Sequence, residues 1–255
     1  MANTRRHVAS LWSSSVVCLA ILTSVVNAEA QTPAGQPDGP EIPLLIDGVV
    51  PQGGFKQNVS SPAFGGEFDF LVQIGHSPIF VGAGFVGAIY GSETRHVPFS
   101  STIPDVKLQV YTENSMVVGE LLLRVQPRTG RIRPYIDGLI GFDHLYTVTT
   151  VAKESGSCSA LPLLDALFDS GSCTDLIAST TNLDDTTFAY GFGGGVQFAV
   201  NRQLSLDAGV RSVRGGKADY LKQGSIRRTD GVASFAKLSS RTDVIAVKVG
   251  LTIRF

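Results

Sequence analysis

After residue 30 the sequence has no apolar run approaching the roughly 20 residues that a membrane helix needs. If this chain crosses a bilayer, it must do so as a closed barrel, because lipid tolerates no unpaired backbone. Tryptophan occurs once, methionine twice and cysteine three times, and charged residues make up only 17%. The formal net charge is −1. So small a charge predicts neither a nucleic acid nor an acidic macromolecule as partner. Also missing is the constellation that acyl chemistry needs: a histidine and a serine close together, with a carboxylate to orient the ring. No His-x-Ser pair exists. His76 falls in a turn and His96 in a loop, and His144 follows Asp143 on a strand, where neighbours point to opposite faces. The expectation is a protein that is not an enzyme and needs no cofactor or metal.

The clearest stretch that is present is the last one, D-V-I-A-V-K-V-G-L-T-I-R-F from Asp243 to Phe255. Ile245, Val247, Val249, Leu251, Ile253 and Phe255 fall on one face. Ala246, Lys248, Gly250, Thr252 and Arg254 fall on the other. Strict alternation marks a strand, with hydrocarbon on one side and two cations on the other. A membrane barrel strand, with lipid outside and a packed polar lumen inside, requires that pattern.

Residues 1–30 read as a cleaved secretory signal. Arg5 and Arg6 supply the charge, Val16 to Val26 the apolar run, and Ala28-Glu29-Ala30 the cleavage box. The run is too short to span a bilayer. Cys18 leaves with this segment. Removing 30 of 255 residues leaves 225, with 19 Lys plus Arg and 21 Asp plus Glu, a net charge of −2. That length suits one all-β domain. Residues 31–41, with Pro33, Pro37 and Pro40, read as a periplasmic leader. Residues 42–255 read as the barrel.

Alternation predicts eight strands, at Leu44–Val50, Phe64–Ile74, Ile79–Gly91, Val110–Gln126, Ile132–Val148, Thr186–Val200, Leu204–Arg214 and the terminal stretch. The third is apolar on both faces, which leaves its orientation open. Tight turns fall at Gly75–Pro78, Pro127–Arg131 and Asn201–Gln203. Loops fall at 51–62, 92–109, 149–184 and 215–240. Short connections at one end and long ones at the other follow the outer-membrane pattern of periplasmic turns and external loops. The predicted fold is all-β: an eight-stranded antiparallel transmembrane barrel of up-and-down topology.

T-T-F-A-Y-G-F-G-G-G-V-Q-F (186–198), L-S-L-D-A-G-V-R (204–211), R-I-R-P-Y-I-D-G-L-I-G-F (131–142) and the terminal V-K-V-G-L-T-I-R-F resemble the outer-membrane β-barrel domain family, the small OmpA- and opacity-type barrels. The resemblance covers most of residues 42–255 and is one of aromatic and glycine spacing. It implies an eight-stranded barrel inserted by the barrel assembly machinery, with Phe255 as the assembly signal. The family's members differ in role, so the resemblance implies no single function.

The inward faces carry Glu67, Asp69, Glu120, Arg124, Asp137, Asp207, Arg211, Lys248 and Arg254. An eight-stranded barrel is just wide enough to fill with side chains. Buried charges must be paired, and both signs are present. The expected result is a lumen charge network that braces the barrel; a narrow ion path is the alternative. Cys158 and Cys173 are expected to form a disulfide in an external loop. The last external loop carries Lys217, Lys222, Arg227 and Arg228, candidates for contact with lipopolysaccharide phosphates. The implied role is structural or surface interaction, with outer-membrane lipid, lipopolysaccharide and an extracellular partner at the loops. A small porin-like channel is the alternative, and a lipid A-modifying enzyme a more remote one.

Overall fold

The computed structural model describes residues 39–98, 107–153, 176–229 and 232–255. The signal segment, most of the leader and all three cysteines lie outside the described residues. The chain order is β1 (Glu41–Pro51), α1 (Gly53–Asn58), β2 (Ala63–Gln73), β3 (Ile79–Pro98), β4 (Lys107–Val125), β5 (Ile132–Lys153) and β6 (Leu176–Ala199). It continues through β7 (Leu204–Gly215), β8 (Lys217–Tyr220), β9 (Ile226–Thr229), β10 (Val232–Phe235), β11 (Leu238–Arg241) and β12 (Val244–Arg254).

Eight of these strands close a barrel in the order β1-β12-β7-β6-β5-β4-β3-β2. The seam joins the two ends of the domain, antiparallel from Glu41↔Arg254 to Pro51↔Val244. β8 with β11, and β9 with β10, form two small ribbons beyond the barrel.

Strand polarity follows from alternation. On β12 the odd-numbered side chains from Ile245 to Phe255 face outward and are exposed or half-buried, while Ala246, Lys248, Thr252 and Arg254 are buried. β1 sets Ile46 outward at 68% exposure and Asp47 inward at 0%. Phe64, Phe68, Phe85, Leu121, Ile136, Phe188, Phe192 and Val210 continue the outward apolar belt around the barrel. Hydrocarbon exposed on this scale is a surface for lipid rather than water. The ambiguous strand, β3, resolves as Phe80, Val86, Ala88 and Tyr90 inside with Val81 and Phe85 outside.

Several sequence boundaries need correction. β3 runs on to Pro98 and β4 begins at Lys107, so most of the expected loop at 92–109 is paired strand. β5 extends to Lys153 and β6 starts at Leu176, within the expected loop at 149–184. These extensions are rich in Thr and Val, which suit a pleated sheet even when neither face is apolar; their polarity had suggested a loop. The stretch 215–240 contains the short strands β8 to β10 and most of β11, and 51–62 contains α1. β1 begins at Glu41, the last residue read as leader.

β3 to β6 have 20, 19, 22 and 24 residues, against 11 or 12 for β1, β2, β7 and β12. Above the Phe64↔Ile89 pair, β3 pairs with β4 alone; above Ala189↔Gly215, β6 pairs within the barrel sheet with β5 alone. The barrel therefore carries a four-stranded wall on one side of its loop end. At the other end the turns are short. In the last of them the Asn201 carboxamide oxygen accepts from the backbone N–H of Gln203 and Leu204, at 2.8 and 2.7 Å, a side-chain turn of the kind Asn favours.

Candidate functional site

All nine charged side chains assigned to the lumen are at most 5% exposed, inside the barrel. They are not one cluster but three tiers. Nearest the turn end, Glu41 accepts from Arg254 and, at 3.4 Å, from Arg133, whose other nitrogen donates to Ser205 at 2.7 Å. Arg254 also donates to the Arg128 carbonyl at 3.0 Å, tying the seam to the β4–β5 turn.

The middle tier is built on Tyr135. Its hydroxyl donates to Asp207 at 2.7 Å, and the Arg124 guanidinium lies 4.0 Å from its ring centre. Arg124 in turn donates twice to Asp137, at 2.7 and 2.9 Å. Charge-assisted pairs of this fork geometry are the strongest side-chain hydrogen bonds available. Asp207 takes further donors from Thr252 and Gln197, at 3.0 and 3.1 Å, and Gln126 donates to Gln197 at 2.8 Å. Room for the tyrosine comes from glycine. A Cβ at Gly195 or Gly209 would collide with the Tyr135 hydroxyl.

In the third tier Arg211 bridges two carboxylates, Glu120 at 2.6 Å and Glu67 at 2.9 Å. Lys248 donates to Glu67 at 2.9 Å and lies 3.8 Å from Asp137, linking this tier to the one below. Asp69 is buried beside Glu67 and Glu120, with ligand-type oxygens of the three within 4.8 Å of one another.

Above the charges the interior turns apolar, with Val49, Val86, Ala88, Met116, Val118 and Val213. A cavity of about 20 Å³ separates the two regions, lined by Asp47, Glu67, Glu120 and Arg211 together with several of these apolar side chains. That is room for about one water molecule. The loop end is then covered. Phe55 of α1 is fully buried between Tyr90 and Tyr220, its ring centre 5.6 and 5.0 Å from theirs, edge to face. Asn58 donates to the Tyr220 hydroxyl at 2.7 Å, and that hydroxyl meets Ser240 Oγ at 2.6 Å. Such aromatic groupings hold by area and by quadrupole geometry together. No local pattern announces this lid, because Phe55, Tyr90 and Tyr220 are 165 residues apart end to end and belong to three different elements.

Sequence reasoning also left Glu41, Asp47, Arg133 and Asp143 out of the lumen set. Parity could have found three of them: Asp47 alternates with Leu45 and Val49, and Arg133 and Asp143 share the face of Tyr135 and Asp137. Glu41 was lost because the leader was extended over it.

At the outer rim, Lys217 and Arg241 sit directly opposite each other on the β8–β11 ribbon, both exposed. Arg241 and Arg214 reach Asp243 at 3.5 and 3.9 Å, and Lys237 reaches Asp219 at 4.0 Å. Lys222 is exposed just after β8, and Arg227 and Arg228 lie on β9. Like charges directly across a ribbon destabilise it unless an anion joins them. His144 points outward, stacks on Tyr146 at 5.7 Å and shares a 2.7 Å hydrogen bond with Thr186. Asp143, its chain neighbour, is buried inside, so the two form no dyad.

No protein-family model and no curated protein matches the chain. Among solved structures it is similar to neisserial surface protein A at 11% identity, covering 87% of this chain and 99% of that one, with a TM-score of 0.40. It is similar to the attachment invasion locus protein of Yersinia pestis at 14% identity, covering 85% and 97%, with a TM-score of 0.36. A major outer membrane protein from Thermus thermophilus gives 12% identity, 85% and 98% coverage, and a TM-score of 0.39. At these scores the likeness carries no role over to this chain. The structures it is similar to are small outer-membrane β-barrel proteins.

Proposed function

We propose that this chain is a bacterial outer-membrane barrel, exported by a signal cleaved after Ala30, with a structural or surface-interaction role and no catalytic one. The observation that carries this reading is a continuous outward apolar belt around an interior that is filled below and lidded above. A belt of that kind suits lipid. A filled and lidded interior suits bracing rather than conduction. The contact surface is the rim around Lys217, Arg241 and Lys222, and its partner is the phosphates of lipopolysaccharide, which would relieve the facing cations.

The protein is expected in the outer-membrane fraction, with boiled and unboiled samples migrating differently on a denaturing gel. Refolded protein should bind intact lipopolysaccharide more tightly than a dephosphorylated preparation. The double variant Lys217→Gln/Arg241→Gln should lose that difference. Equal binding of both preparations by the parent would remove the phosphate contact from the proposal. Recovery in the soluble periplasm would remove the barrel's membrane role.

A further inference from the structure

The turn end of the barrel carries side chains of one charge only. Its three turns span residues 74–78, 126–131 and 200–203. Their ionisable side chains are His76, Arg128, Arg131 and Arg202, and none is acidic. Among the described residues, the one anion exposed at this end is the terminal carboxylate at Phe255, whose N–H donates to the Pro40 carbonyl. The loop end is built differently. There Arg95 pairs with Glu93, Arg214 and Arg241 with Asp243, and Lys237 with Asp219. Arg131 and Arg202 are exposed and enter no ion pair among the described residues.

Hydrogen bonds join the turns into one surface. Arg128 donates to the His76 carbonyl at 3.5 Å, and the Arg131 carbonyl accepts from the Ala199 N–H at 2.8 Å. Arg254 donates to the carbonyls of Arg128 and Gln203, at 3.0 and 2.7 Å. Arg131 and Arg202 therefore stand on adjacent turns. The apolar belt fixes their depth. Exposed Ile132 follows Arg131 directly, and exposed Val200 lies two residues before Arg202. At about 3.4 Å per residue, both leave the chain within about 7 Å of the hydrocarbon edge, the depth of roughly one headgroup layer.

We propose that the turn end is a binding face for anionic phospholipid of the phosphatidylglycerol class in the inner leaflet, with Arg131 and Arg202 holding one headgroup phosphate between them. The inference rests on the outer-membrane reading above, which sets the turns at the periplasmic face. The turns carry arginine and no lysine. The planar guanidinium fork matches two phosphate oxygens at once, which a lysine cannot do. An arginine stem lies along apolar surface while its head stays in the polar layer. Depth favours lipid over the cell wall, because turns this short do not project past the headgroups.

The mature chain, refolded in detergent micelles, would be titrated with phosphatidylglycerol or with phosphatidylcholine of the same acyl chains, and bound lipid counted by native mass spectrometry. The parent should prefer phosphatidylglycerol by about tenfold, and high salt should shrink the preference. Arg131→Gln/Arg202→Gln should abolish it, and Arg131→Lys/Arg202→Lys should restore only part. Arg202→Gln alone should weaken it severalfold, and it decides the matter should the double variant fail to fold. Lys217→Gln/Arg241→Gln, at the opposite end, should keep it. Equal binding of the two lipids by the parent would overturn the inference. So would a preference that survives in the turn variants or is lost in the loop-end one. Sedimentation of the parent with purified cell-wall sacculi, lost in Arg131→Gln/Arg202→Gln while the lipid preference stays, would assign the face to the wall and overturn it too. Heat-dependent gel migration is read on every sample. A parent without that shift fails the barrel reading; a parent that has it and shows no lipid preference fails this inference alone.

Discussion

Arg124 and Asp137 stand directly opposite each other on β4 and β5, and their side chains meet in a two-pronged ion pair at 2.7 and 2.9 Å. Both are at most 1% exposed. Removing one partner strands the other's charge, at a cost of about 3–5 kcal/mol. Asp137→Ala should reach that range, since among the described residues Arg124 has no second carboxylate bonded to it. Arg124→Leu should cost somewhat less, because Lys248 lies 3.8 Å from Asp137. The double variant Arg124→Leu/Asp137→Ala should be more stable than Asp137→Ala alone. Urea unfolding in lipid vesicles measures all three, and simple additivity of the two single losses would contradict the pairing.

Lys248 and Val249 test inside against outside. Lys248 is 1% exposed and bonded to Glu67, whereas Val249 is 59% exposed on the apolar belt. Val249→Arg sets a cation against hydrocarbon and should cost roughly 2–4 kcal/mol near the bilayer midplane. Lys248→Gln keeps a polar group in the lumen and should cost about 1–3 kcal/mol for the weakened bond to Glu67. A one-residue slip of β12 would exchange the two faces. The same vesicle measurement reads both variants. Tolerance of Val249→Arg together with collapse of Lys248→Gln would mean the faces are reversed.

The lid should be separable from the barrel. Phe55→Ala deletes the ring between Tyr90 and Tyr220, a loss on the order of 3–5 kcal/mol in local packing. The barrel ladder does not pass through α1. Limited proteolysis should therefore cut near residues 53–60 in the variant and not in the parent, while the heat-dependent shift in gel migration persists. Loss of that shift would show that the lid is needed for the barrel itself.

What could be read from the chain depended on whether the information was local. Alternation from Ile245 to Phe255 and from Phe64 to Ile74 was enough to assign faces, because one face was apolar and the other was not. The wall was not legible for the opposite reason: Thr149 to Val151, where the extension begins, are polar or β-branched on both faces. The nine inward charges could be named individually, but their sorting into tiers could not. Glu67 meets Arg211 across 144 positions and Lys248 across 181, and only barrel closure brings those strands together. The Cys158–Cys173 disulfide, expected to close a loop of about 16 residues and to contribute on the order of 3 kcal/mol, falls outside the described residues.

Unequal strand length gives the molecule a front and a back. Roughly 9–11 tilted residues suffice to cross a bilayer, and β1, β2, β7 and β12 have little more than that. β3 to β6 continue for about ten residues beyond it, roughly 30 Å at about 3.4 Å per residue before tilt. Seated in an outer membrane, one flank would end within the sugar layer and the other would clear it. Rotation of the protein about the membrane normal, immaterial for a symmetric barrel, would then decide which neighbours it can reach.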